Sequence, residues 1–167
     1  EQEKENIKNK IRFTNFILGL ELPFFSVLLY NMEYKVVDKG IDTLWTDGKN
    51  IKFTEKYAES ISKELFCSLV LKILLHLSLK HRERARDKGI EKIKYAYSAS
   101  LVVNNMIENE LMKNSNLSDY ITNEKVKGKL DSNLEIKTPY IQESLKGKSV
   151  EEVFSLLPPT EEINLGD

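Results

Sequence analysis

Two histidines, one cysteine and a run of alternating charge are the residues whose types could do chemistry. His76 and His81 lie five apart in a strongly apolar stretch. Five residues turn a helix through about 500°, which leaves the two side chains roughly 140° apart. A zinc enzyme normally uses three protein ligands and one open position. The pair therefore shares an ion only if the helix breaks between them, and it reads as a partly buried His76 and a surface His81. Cys67 stands among Leu65, Phe66, Leu69 and Val70, the setting of a buried structural thiol. The turn of about 900° between Cys67 and His76 sets them on different faces, so they do not form a nucleophile–base pair. Arg82, Arg84, Arg86 and Lys88 alternate with Glu83 and Asp87, a solvated helix end whose acids dilute any field for phosphate.

Composition narrows the function classes. The 167 residues carry 25 Lys+Arg against 26 Asp+Glu, a formal charge of -1. That balance argues against a specific nucleic-acid binder, which normally shows a basic excess. Hydrophobic residues at 41% and charged residues at 31% suit a folded domain that buries about 70% of its unfolded surface. A single cysteine makes no internal disulfide, so a reducing, cytoplasmic setting is expected. The stretches Phe16–Tyr30, broken by Glu21 and Pro23, and Leu65–Leu79, broken by Lys72 and His76, fall short of a bilayer span. Both are expected to be buried helices, with no membrane partner. A first residue other than Met suggests trimming or a piece of a longer chain.

The elements that position these residues follow from periodicity and turn signals. Ile7, Ile11, Phe16, Ile17 and Leu20 mark a first helix over Gln2–Leu20, with Gly19 near its end. Pro23 suits the first turn of a second helix, Phe24 to Met32. Tyr34–Val37 reads as a strand, and Thr43–Thr46 and Asn50–Phe53 flank Asp47-Gly48-Lys49 as a hairpin. Its Trp45 is either a core anchor or, if exposed, a partner contact beside Asp47 and Lys49. Thr54 opens a short helix over Glu55–Ile61, and Ser62 caps the longest one, Lys63 to about Arg84. Ile90 to Met112 sets Ile93, Tyr97, Leu101, Asn104, Ile107 and Leu111 on about one face. Periodicity is lost from Lys113 to Gly147. Ser149-Val150-Glu151-Glu152 is a capping box before Val153, Phe154 and Leu157, and Pro158-Pro159 stops that helix. The fold class expected is α+β, mainly helical with a small hairpin-containing sheet. It fills residues 1–157, with 158–167 an acidic linker or tail.

The order of several runs resembles a known family. Leu22-Pro23-Phe24-Phe25 with Leu28-Leu29 comes first, then Thr46-Asp47-Gly48 and Ile51-Lys52-Phe53. Glu64-Leu65, the helix Leu71–His81, Val102-Val103-Asn104-Asn105 and Ser149-Val150-Glu151-Glu152-Val153-Phe154 follow. Together they are similar to the metallopeptidase domain that precedes a von Willebrand factor A-like domain in many bacterial proteins. The resemblance implies a zincin-like fold centred on a helical H-E-x-x-H. Two His four apart bind one zinc there, and the Glu activates its water. It also implies a von Willebrand factor A-like domain after this one in a longer chain.

At the matching positions this chain reads Lys72-Ile73-Leu74-Leu75-His76. Lys72 stands where the first ligand belongs, Ile73 where the base belongs, and Ser100 where the family carries an Asp on the next helix. A lysine amine is ordinarily a cation that repels zinc, and an isoleucine carries no proton in any state. The expectation is a degenerate, pseudoenzyme domain with no catalytic residue, no metal ligand and no cofactor. Lys72, His76, Ser100 and Asn104 then form a neutral-to-positive cleft, with Lys72 facing it or merely snorkelling to the surface.

Three function classes remain. One is a non-catalytic module that binds a protein partner in the cleft or along the hairpin edge Thr43–Phe53. Another is a small inhibitor or adaptor, bacterial or phage-encoded as the Lys-, Asn- and Ile-rich usage hints, that binds a larger complex. The third is an active zinc metallopeptidase with unrecognised ligands.

Overall fold

The computed structural model describes residues 2–80, 83–84, 92–107 and 147–156. These residues fall in two compact units, one through Leu75 and one from His76 onward. The architecture is α+β and mostly helical, with one small mixed sheet. No helix among the described residues is long and apolar enough to cross a membrane.

The first unit opens with α1 (Gln2–Glu21) and α2 (Pro23–Tyr30). Pro23 sits in the first turn of α2, where its missing N–H is not needed. Gly19 does not end α1, which runs two residues further; a methyl group added to it would make ordinary van der Waals contact with Ser26 of α2. Strands β1 (Glu33–Val37), β2 (Trp45–Thr46) and β3 (Asn50–Thr54) follow. The hairpin forms as its Asp-Gly signal requires, with Gly48 at φ 99° and Trp45 opposite Lys52. Its first strand is only two residues long, shorter than Thr43–Thr46. The sheet order is β1-β3-β2, with β3 parallel to β1 and antiparallel to β2. Alternation along β3 sends Ile51 and Phe53 into the core.

Thr54 caps α3 (Glu55–Ser60) by accepting from the Tyr57 N–H at 3.3 Å. Ser62 does the same for α4 (Lys63–Ser78), accepting from the Leu65 N–H at 3.1 Å. Helix α4 is the core of this unit, with every residue from Leu65 to Leu71 buried. Phe66 carries it onto the sheet, stacked on Tyr34 at 6.2 Å and edge-on to Phe53 at 5.5 Å.

Two expectations need correction here. Helix α4 stops at Ser78 rather than near Arg84, because Lys80 adopts a left-handed φ of 54° and its N–H bonds back to Leu77 O. That is a glycine-type helix stop built on a lysine, so the side-chain pattern gave no warning. The stretch Phe16–Tyr30 is not uniformly buried either. Ile17, Leu18 and Leu29 are buried, while Phe16, Leu20, Phe24, Val27 and Tyr30 are more than half exposed. A helix pair buries only the faces turned inward, and this stretch is apolar all round.

In the second unit α5 (Lys92–Met106) packs on α6 (Val150–Leu156). Their shared core is Tyr95, Ala99, Leu101, Val102, Val150 and Val153. Leu101 and Ile107 are buried as their spacing predicts, but Tyr95, Ala99 and Val102 also turn inward. The capping box closes in both directions. Glu152 N–H donates to Ser149 Oγ at 3.2 Å, and Ser149 N–H donates to Glu152 Oε2 at 2.6 Å. The expectations for His81, for most of the charged run 82–88, for 111–146 and for the tail 158–167 lie outside the described residues.

Candidate functional site

The site suggested by the sequence is anchored on α4, and the helix fixes where its members point. Seven residues bring Ile73 to within about 20° of Phe66, so Ile73 lies on the stripe that meets the sheet. It is 7% exposed. Lys72 and His76 lie one turn apart, about 40° around the helix from each other. Both are partly buried.

The environment of Lys72 is apolar. Leu69, Leu71, Ile73 and Leu75 around it on the helix are all buried. Burial pulls its ammonium down to about 8, since desolvation disfavours the charged form. No hydrogen bond or ion pair to Lys72 is made among the described residues. Ser100 and Asn104 stand four residues apart on α5, and their side chains lie outside the described residues.

These residues do not fit a zinc ion. Along this stretch of α4, Lys72 and His76 offer one amine and one imidazole, and Ile73 between them offers no donor. No group of three or more His, Cys, Asp or Glu placed to hold a metal occurs among the described residues. Cys67 adds nothing, because it is fully buried and burial pushes its thiol up to about 12.

A family model described as "Putative metallopeptidase domain" matches residues 9–162. The chain belongs to that family. No curated protein and no solved structure matches it. The metallopeptidase-domain match runs through α4 and past α6, so Lys72 and Ile73 sit inside the matched region.

The hairpin candidates divide. Trp45 is half-buried, and a methyl group built on Gly40 would overlap its ring, so the indole anchors the loop that precedes it. Asp47 is exposed but occupied. Its carboxylate accepts from Lys49 N–H at 2.9 Å, Asn50 N–H at 2.8 Å and Asn50 Nδ2 at 3.0 Å, and pairs with Lys52 at 3.1 Å. Those bonds hold its carboxyl well below the usual carboxylate range. Lys49 is exposed. The longer sheet edge belongs to β1, five residues against two in β2, which the hairpin signal did not reveal.

Two features escaped the sequence reading. Arg84 pairs with Glu151, and Tyr95 Oη donates to the same carboxylate at 3.4 Å. Residues 67 positions apart leave no local signal. The exposed apolar pairs Phe16/Leu20 on α1 and Phe24/Val27 on α2 were legible only as hydrophobicity.

Proposed function

We propose that this member of the metallopeptidase family is a non-catalytic protein-interaction module. The observation that carries the reading is Ile73. At the position of the family's general base stands an apolar side chain buried on the sheet-facing stripe of α4. Restoring a carboxylate there would bury a charge in the core. Lys72 at the first ligand position supports the same reading, since a cationic amine opposes a dication.

Large exposed apolar side chains on α1 and α2 favour a protein partner over a small molecule. A von Willebrand factor A-like domain on the same chain, as in the family's usual context, is the nearest candidate partner. An inhibitor or adaptor role uses the same surfaces and differs only in the partner.

The test is metal analysis of the purified protein together with a chelator-sensitive peptidase assay. The expected result is no stoichiometric zinc and no activity. About one zinc per chain, lost on His76→Ala, would overturn the proposal. For the partner surface, Lys72→Met and Lys72→Glu are compared with Phe24→Ser in capture of the identified partner. Loss in the lysine variants places binding at α4, and loss only in Phe24→Ser places it on the first two helices.

A further inference from the structure

Helices α1 and α2 pack on each other, and each also presents large apolar side chains on the side away from its buried face. On α1, Phe16 and Leu20 lie one turn apart and are more than half exposed, whereas Thr14, Ile17 and Leu18 are buried. On α2, Phe24, Val27 and Tyr30 recur every three residues, each at least two-thirds exposed to within a percent and Tyr30 at 90%. Two residues, or about 200° of turn, separate Val27 from the buried Leu29, so this stripe points outward. Together the five side chains leave on the order of 600 Å² of mostly apolar surface in water. That is the upper end of what a monomer ordinarily exposes in one patch.

We propose that this face pairs two copies of the chain about a two-fold axis, with α2 crossing its counterpart at Val27. The area approaches the roughly 800 Å² that each partner contributes to a standard interface. The stripe is also uncharged, since no Asp, Glu, Lys or Arg stands between Glu21 and Glu33. A two-fold sets residues near the axis against their own counterparts, so a charged patch repels itself while an apolar one packs on itself. A partner recognised by opposite charge finds nothing on α2 to pair with. A lipid surface fits less well, because interfacial helices carry Lys or Arg around their apolar face. The charges flanking α2 are instead Glu21 and Glu33, which anionic headgroups repel. The pairing rests on the reading of α1 and α2 as a protein-contact surface, and not on the loss of metal chemistry.

The experiment is sedimentation velocity on the 167-residue chain from about 1 to 200 μM, the range in which an interface of this size associates. The expected result is a rise from the single-chain mass of 19.3 kDa to twice that value. Val27→Lys and Val27→Glu each bring like charges together at the axis, and each should weaken association at least about tenfold. Val27 is well exposed, so neither charge disturbs the packing of α2. Mixed in equal amounts, the two variants should pair with each other and recover the dimer. A wild-type chain that stays monomeric throughout the range overturns the proposal, whether or not it binds phosphatidylcholine vesicles. Single variants that dimerise like wild type overturn it too, as does a mixture that fails to recover. A chain that holds zinc and still dimerises through Val27 would sink the loss of metal chemistry and leave the pairing intact. A monomer that captures another protein through Phe24 would do the reverse.

Discussion

At the scale of single residues, the burial of Lys72 in α4 has a thermodynamic sign. Its folded-state pKa lies near 8 against an ordinary lysine value of 10.5, so between those values the unfolded chain binds more protons. Stability from this group is therefore lowest below pH 8 and recovers as pH rises to about 10.5. Lys72→Met, which keeps the unbranched stem and deletes the charge, should stabilise the protein by about 1–3 kcal/mol at pH 7. The gain should shrink steadily above pH 8 in urea titrations of both proteins. A gain that is independent of pH would mean that packing, not charge, separates the two side chains. Ile73 illustrates how the site was legible at all. Its neighbours made the helix readable by periodicity, whereas the proposed absence of an acid there rests on the resemblance to the family alone.

At the scale of elements, what was legible was local. Thr54, Ser62 and Ser149 each mark a helix start through one side-chain oxygen and one nearby N–H, so sequence spacing suffices. The hairpin follows from Asp47-Gly48 for the same reason. The parallel pairing of β1 with β3 was not legible, because it joins Glu33 to Asn50 across an intervening strand. Nor was the packing of Gly40 under Trp45, which depends on that arrangement. Gly40→Ala should push the ring outward, cost about 1 kcal/mol and shift Trp45 emission to longer wavelength. Trp45 is the single tryptophan, so the emission spectrum reports that ring alone. An unchanged spectrum would show that the loop, not the ring, gives way.

At the scale of the whole molecule, the chain matches its family's model from residue 9 to residue 162, across both compact units. The α+β class was legible because it is set by the ordering of amphipathic and turn segments. The division at Leu75–His76 was not, since it falls inside a continuous helical pattern. The buried thiol of Cys67 turns this architecture into a clock. Disulfide reagents attack a thiolate, and this one is 0% exposed with its thiol held up to about 12. Reaction therefore waits for the α4 core to open, so labelling kinetics read the opening equilibrium without any introduced probe. Ellman's reagent should react at least about 10³-fold more slowly with the native chain than with the urea-unfolded one, as a marginally stable fold requires. Progressive acceleration at sub-denaturing urea would then give the surface exposed in that opening, and immediate reaction would mean a core that breathes freely around α4.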